Sequence, residues 1–347
     1  MSGAPDAEPE FTFELRVCRW AERGWEPARP DSRVLVARQL GVKRRRWDTI
    51  VLECDPDGLE RRSLFGPERL NSDLLGVVRH APRTWSYYRD ALPEPDYPWR
   101  YVREAIHAAA ERGVVEERKG GRRIELRRKW RYPDWVRRVV AIENKPDLDA
   151  SAARVLGDQL ERDVALSLAD EVWVATNATG DDVEPALLER LPVEAGILAF
   201  PSPDENRAPE VAWHPSSLDS DGPGTRIVDR PSGGARDQSA ARFEYADPEW
   251  KAQKRLEIAE RGYERGWRSY ADTLRPDCLH FRLRDPEGPL PWCAAKSCHP
   301  TDRECSGSCP DFSPEPPAWR TSGWPIEGGP GKGMKELLDR QRRRRRE

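Results

Sequence analysis

The chain has 347 residues, of which 37% are hydrophobic and 34% charged, and its formal net charge is −3 at pH 7. This length allows two or three domains, and the hydrophobic fraction supports a core with much solvated loop around it. No apolar run approaches the ~20 residues of a membrane helix, and residues 1–10 are acidic rather than signal-like, which predicts a cytoplasmic protein with no membrane partner.

The first elements are two predicted helices and a strand. Apolar periodicity predicts a helix over 11–25 and a second over 32–40, with Gly41 as the residue that ends it. Residues 44–54 then predict a strand, since Asp48 is followed by an apolar run before the turn at 55–58.

Residues 70–131 are predicted to be an inserted module. Two helices, the second over 101–112, precede two strand-like runs at 114–118 and 122–130, joined by a Gly-Gly turn. Helices followed by a basic hairpin resemble a winged helix, whose wing would bind DNA phosphates through Arg118, Lys119, Arg122 and Arg123. The alternative is a sheet edge on which basic side chains merely prevent aggregation.

A buried strand is predicted over 136–145, and it ends in Glu143 and Lys145 before the breaker Pro146. A helix over 151–168, a strand over 171–176, a helix over 184–191 and a strand over 196–200 follow, a pattern typical of a largely parallel sheet. Alternation places Glu143 and Lys145 on one face, ~7 Å apart. A second carboxylate on the neighbouring strand could share Mg²⁺ with Glu143, while Lys145 positions the attacking water. The alternative is a strand end that projects two charges into solvent.

These residues resemble the PD-(D/E)XK nuclease superfamily, in which an Asp on one strand is paired with (D/E)xK on the next. The resemblance implies an α/β, restriction-endonuclease-like core with a central mixed sheet flanked by helices, over 11–69 and 132–201. It also implies catalytic roles for Glu143 and Lys145, with Gln159 on the following helix and Glu14, or less readily Glu22, on the first. Asp163 stands where one branch of the superfamily carries a tyrosine. The chain also resembles archaeal proteins without an assigned activity.

Two aspartates compete for the remaining position. Asp134 follows a proline, as in the motif's name, but leaves little room for a strand and turn before Glu143. Asp48 has an apolar strand of its own in the expected order, although the inserted module then separates the two halves of the site. We prefer Asp48 and keep Asp134 open.

The C-terminal part is rich in proline, glycine and cysteine. We expect a disordered linker over 202–240, a helix over 248–274 within a metal-binding segment at 241–320, and a basic tail over 321–347. This segment contains five of the seven cysteines, with little apolar sequence to form a core. Its predicted metal ligands are Cys293, Cys298, Cys305 and Cys309, with Cys278 in reserve. Zinc and an iron–sulfur cluster are both open, as is a set of unligated thiols.

Together these patterns predict a Mg²⁺-dependent nuclease that cleaves DNA. Two other classes remain open: a non-catalytic DNA-binding protein that uses a degenerate nuclease fold, and a metal-cluster adaptor in a protein complex.

Overall fold

The computed structural model describes ten stretches of the chain. They are residues 8–42, 45–121, 123–148, 150–177, 190–203, 205, 207–229, 242–284, 290–306 and 308–314. Among the described helices, none combines the length and the apolar character that crossing a membrane requires.

The chain begins with a helix and a long β-hairpin. Helix α1 spans Glu10–Gly24, and strands β1 (Arg33–Val42) and β2 (Arg45–Cys54) pair antiparallel. The helix expected over 32–40 is therefore wrong. Gln39 has a φ of 54°, and this left-handed residue shifts the alternation so that Ala37 and Leu40 enter the same core. That three-residue spacing imitates a helix.

Gly41 is needed for the hairpin rather than for a helix end. A Cβ at this position would lie 2.2 Å from the carbonyl oxygen of Arg45 on the paired strand. Only glycine allows the two backbones to approach this closely.

After helix α2 (Pro56–Ser63), the inserted module consists of three helices and a small sheet. Its helices are α3 (Ser72–His80), α4 (Tyr88–Ala91) and α5 (Trp99–Glu111). Its strands are β3 (Ser86–Tyr87), β4 (Val115–Gly120) and β5 (Arg123–Arg128), in the order β3-β5-β4. Gly121 has a φ of 66° in the β4–β5 turn, so the predicted hairpin is present.

The chain then returns to the large sheet. Strand β6 (Val136–Asn144), helix α6 (Ala150–Leu166) and strand β7 (Glu171–Asn177) follow one another, and β8 (Gly196–Phe200) and β9 (Glu210–Trp213) complete the sheet. The order is β1-β2-β6-β7-β8-β9, with β6, β7 and β8 parallel and the other pairs antiparallel. This is a mixed sheet of six strands flanked by helices. The predicted helix over 184–191 falls largely outside the described residues.

The linker expected over 202–240 is wrong in part, because it contains two strands. Strand β9 pairs with β8, and β10 (Gly224–Asp229) pairs with β11 (Arg242–Ala246). Helix α7 spans Pro248–Arg265, shorter than expected because Gly266 (φ 64°) ends it, and a 3₁₀ helix continues over Trp267–Thr273. Strands β12 (Phe281–Arg284) and β13 (Leu290–Cys293) form a last hairpin, and the predicted tail lies outside the described residues.

Two hydrophobic clusters cover the two faces of the sheet. Helix α1 and the 3₁₀ helix pack on one face, against Val51, Val140 and Ile142. The other face joins the inserted module, α6 and α7 through Ile50, Leu52 and neighbouring residues. Gln39, Asp48 and Glu143 lie on the neighbouring strands β1, β2 and β6, towards one end of this sheet.

Candidate active site

Asp48 and Glu143 lie on neighbouring strands. Strands β2 and β6 are paired antiparallel, with Thr49 opposite Ile142, so Asp48 and Glu143 follow at the same end of the ladder. Asp48 Oδ2 accepts a hydrogen bond of 3.0 Å from the backbone N of Asn144. The pairing that the sequence predicted for Asp48 is thus present in the fold.

Glu143 is buried beside a second charged group. Its side chain is 5% exposed, and its Oε1 lies 2.7 Å from Nη2 of Arg45. That oxygen nevertheless makes no well-aligned hydrogen bond within the described residues. Burial raises the pKa of Glu143 to about 8, the negative charge of Asp48 adds to the rise, and Arg45 opposes it. Glu143 thus has a negatively charged neighbour in Asp48 and a positively charged neighbour in Arg45.

Arg45 is held in place by Asp163 on helix α6. The guanidinium Nε donates to both Asp163 oxygens, at 2.9 and 3.0 Å, and Nη2 donates to Oδ2 at 2.6 Å. Burial raises the pKa of Asp163 while Arg45 lowers it. Asp163, which stands where one branch of the PD-(D/E)XK superfamily carries a tyrosine, thus holds Arg45 beside Glu143. Sequence reasoning assigned no role to Arg45, which lies in a basic cluster.

Gln39 and Glu14 support Asp48 from the other side. The Gln39 Nε2 donates to Asp48 Oδ1 at 3.1 Å and to Glu14 Oε1 at 3.0 Å. A left-handed backbone costs a residue such as glutamine on the order of 1–3 kcal/mol and is often found at functional sites. Glu14 is itself held by two hydrogen bonds from Arg38. Glu14 therefore braces the site instead of offering a free ligand. Gln39 was missed because its strand was predicted as a helix.

Lys145 follows the end of β6 and reaches towards helix α1. Its Nζ donates to Glu10 Oε1 at 2.7 Å, and its side chain is 33% exposed. Burial alone would lower the pKa of Lys145, but Glu10, Asp48 and Glu143 raise it above its ordinary value. Lys145 is therefore held as a cation by the carboxylates of Glu10, Asp48 and Glu143.

The other predicted catalytic residues are more distant. Asp134 precedes β6, whereas Glu143 lies near its end, so the strand separates them by roughly 20 Å or more. Asp134 does not join the site, because it lies just before the first residue of β6, whereas Glu143 lies next to the last. Gln159 lies one helical turn before Asp163 on α6. Both residues line a large cavity between α6 and the β1–β2 hairpin. Glu22 is paired with Arg268 at 2.6 Å.

Some basic side chains of the predicted wing already contact other side chains of the module. Arg118 pairs with Glu125 at 2.7 Å and stacks on the Trp85 ring at 4.4 Å. Arg123 lies over Tyr87 at 5.2 Å, and Lys119 is exposed. Arg122 lies outside the described residues. On the described part of the hairpin, Lys119 and Arg123 thus remain the best-placed phosphate ligands.

Four of the five C-terminal cysteines share one small cavity. Cys278, Cys293, Cys305 and Cys309 line a space of about 20 Å³. Burial raises the pKa of Cys305, and the neighbouring cysteine thiols raise it further. Cys298 does not line this space; its carbonyl accepts from the Cys293 N at 2.9 Å. Cys18 and Cys54 are buried elsewhere.

The arrangement around Asp48 and Glu143 could hold one divalent cation. Within the described residues, no three His, Cys, Asp or Glu side chains are grouped as a metal site. Mg²⁺ commonly binds proteins through one or two carboxylates and completes its shell with water and phosphate oxygens. Two neighbouring carboxyl groups fit such an ion by their donor chemistry, although the Glu143 Oε1 is already ion-paired with Arg45.

Comparison with protein-family models assigns the chain to a family. It belongs to a family of unknown function, DUF5787, whose model matches residues 35–314. The matched region contains Asp48, Glu143, Lys145 and the cysteine segment, but begins after α1. Comparisons with curated proteins and with solved structures gave no match.

Proposed function

We propose that this member of DUF5787 is a Mg²⁺-dependent nuclease that hydrolyses phosphodiester bonds in DNA. The observation that carries the proposal is the electrostatic conflict between Asp48 and Glu143 at the ends of two paired strands. Asp48 is half-buried and Glu143 is buried, and two carboxyl groups held this close repel each other unless a cation compensates them.

The order of elements supports the same proposal. A helix, a hairpin, a third strand, a helix and a parallel strand (α1, β1, β2, β6, α6, β7) surround Asp48 and Glu143. A mixed sheet flanked by helices, with this order of elements around Asp48 and Glu143, supports the part of the proposal that concerns a restriction-endonuclease-like core. In the inserted module, β3 lies between α3 and α4, and it forms a three-stranded sheet with the hairpin that follows α5. This arrangement is compatible with a winged helix that contacts duplex DNA.

Each residue has a distinct role in this proposal. Asp48 and Glu143 would hold the cation, which, when bound, would polarise the phosphate and lower the pKa of a water molecule. Lys145 stays protonated, so it orients the water or the phosphate by its charge. Gln39 fixes the Asp48 carboxylate, and Asp163 fixes Arg45 next to Glu143.

One observation favours a rival, a DNA-binding protein without catalysis. Arg45 already neutralises Glu143 in part, and a cation would have to compete with that contact. In the rival function, the positive charge of Arg45 compensates Glu143 in place of a metal ion, and no metal binds.

The test is incubation of the purified protein with single-stranded, duplex and branched DNA in Mg²⁺, Mn²⁺ or EDTA. The nuclease cleaves in Mg²⁺ or Mn²⁺ and binds without cleavage in EDTA. Binding without cleavage under every condition selects the rival. If the protein neither binds nor cleaves DNA, both are wrong and the adaptor function remains.

A further inference from the structure

A large cavity adjoins the candidate active site. It has a volume of about 850 Å³ and lies between the β1–β2 hairpin, the start of α3, helix α6, the β10–β11 hairpin and helix α7. Elements far apart in sequence thus form one enclosure, and nothing in the nuclease proposal requires it.

The wall of this cavity is positively charged. It carries seven arginine or lysine side chains and three carboxylates. Each carboxylate is paired with a cation on the same wall: Asp163 with Arg45, Glu244 with Arg226 and Glu257 with Lys254. Four cations therefore have no carboxylate on the wall: Arg46, Arg69, Arg162 and Arg261.

Two of these cations are available to a ligand. Within the described residues, no hydrogen bond is made by the guanidinium of Arg46 or Arg162, and both side chains are exposed. Arg261 donates to backbone carbonyls, and its pKa is lowered by burial and further by Arg69. An anion bound between Arg69 and Arg261 would reduce the repulsion between their positive charges.

Arg45 connects the wall of the cavity to Glu143, which is not itself part of the wall. This side chain lines the cavity, is held there by Asp163 and lies 2.7 Å from Glu143. An anion bound along the wall would therefore approach Glu143 at Arg45. Gln159 lines the same space.

The size of the cavity suits a strand whose bases are unpaired. Its volume of about 850 Å³ is that of a small-molecule binding site, which leaves room for a few nucleotides of one extended strand. The Trp250 indole, with Arg226 over its ring at 4.8 Å, adds an aromatic surface of the kind that single-strand binding sites use.

We propose that this cavity receives a single strand of DNA and guides its phosphate backbone to Glu143. The inference rests on the proposed nuclease function and specifies the form of its substrate. Arg46 and Arg162 bind phosphates at the entrance, and Arg45 binds the phosphate next to Glu143.

The experiment measures binding by fluorescence anisotropy in EDTA, where no cleavage occurs. The probes are a labelled 20-nucleotide oligothymidylate and a blunt duplex of the same length. The wild type is compared with R46A/R162A and with the matched control R29A, whose exposed arginine lies near the opposite end of β1. A melting curve verifies folding, and R162E provides a second variant.

We expect the wild type to bind the single strand more tightly than the duplex. R46A/R162A should lose roughly tenfold in single-strand affinity, and the slope of log K against log salt should fall by about 1.4 for two lost phosphate contacts. R29A should behave like the wild type. R162E should weaken binding further than a single neutralisation would.

Equal binding of strand and duplex, or unchanged binding by folded R46A/R162A and R162E, overturns the inference. Cleavage in Mg²⁺, measured in parallel, tests the nuclease function separately. If cleavage occurs while the cavity variants bind normally, only the cavity assignment fails. If the cavity variants lose binding but no metal supports cleavage, the cavity assignment stands and the nuclease function fails.

Discussion

Glu143 is the residue whose chemistry depends most on its surroundings. It is nearly fully buried, lies beside Asp48, and touches Arg45 without a well-aligned hydrogen bond. Its carboxyl group keeps a proton in the folded protein at pH values where the unfolded chain has lost it. A bound divalent cation would reverse this preference, because it stabilises the ionised form.

The first prediction concerns stability and pH. The pKa of Glu143 rises from 4.5 to about 8 on folding, so the folded state binds more protons between these values. Stability due to this group is therefore greatest at low pH and falls as pH rises towards 8, with a slope of up to about 1.4 kcal/mol per pH unit. In E143Q this loss should be absent.

Urea unfolding in EDTA at pH 5, 6.5 and 8 checks this prediction. The free energy of unfolding of E143Q, relative to the wild type, should increase by on the order of 3 kcal/mol from pH 5 to pH 8. Addition of Mg²⁺ at pH 8 should stabilise the wild type but not E143Q. A pH-independent difference between the two proteins would contradict the assigned burial of Glu143.

Among the residues of the candidate site, Asp48, Glu143 and Lys145 could be singled out from the sequence because each adjoins an apolar strand run in a recognisable order. Arg45, Asp163 and Gln39 could not, because their roles depend on contacts between β1, β2 and α6 that no local pattern encodes.

At the scale of elements, the hairpin β1–β2 explains the main error of sequence reasoning. Its first strand contains a left-handed Gln39, which breaks the two-residue alternation. The strands β2, β6, β7 and β8 were predicted because their apolar runs are short and bounded by turns. Strands β9 and β10 were missed because polar and proline-rich sequence gives them no strand pattern.

The second prediction concerns the cysteine segment. Cys278, Cys293, Cys305 and Cys309 line one small cavity, although within the described residues no three such side chains are grouped as a metal site. Zinc is the usual metal of structural sites built from cysteine, so we expect one zinc per chain in a colourless sample, bound after these side chains move closer together. Cysteine thiolates at a structural zinc site supply much of the folding free energy of a small segment.

Metal analysis of the purified protein decides between the possibilities. C305S should lose the zinc, whereas the matched control C54A, whose thiol is buried in β2, should keep it. Iron and sulfide in a brown sample would select the cluster. Metal-free wild-type protein with freely titratable thiols would rule out both.

At the scale of the whole molecule, helix α7 joins the N-terminal half to the C-terminal part. Glu260 on α7 is fully buried and pairs with the equally buried Arg62. It also accepts hydrogen bonds from the Leu70 N at 2.7 Å and from the Tyr132 hydroxyl at 2.7 Å. These contacts bridge more than a hundred residues of sequence and bring α7 to the wall of the cavity.

The third prediction tests this connection. E260A leaves the Arg62 charge buried without a partner, which should cost about 3–5 kcal/mol of the free energy of unfolding. The control E264A, one helical turn later, removes a partly exposed carboxylate 3.8 Å from Arg69 and should cost below about 1 kcal/mol. Urea unfolding provides both values. Equal effects would show that α7 does not stabilise the fold through Glu260.

In the proposed function, Asp48 and Glu143 form a metal-dependent nuclease site. The most direct measurement compares D48N with D134N, two identical substitutions at the rival aspartates, in a DNA cleavage assay with Mg²⁺. We expect D48N to lose at least about a hundredfold in rate while it still binds DNA in EDTA, and D134N to cleave like the wild type. Wild-type activity in D48N, or its loss in folded D134N, would contradict the account.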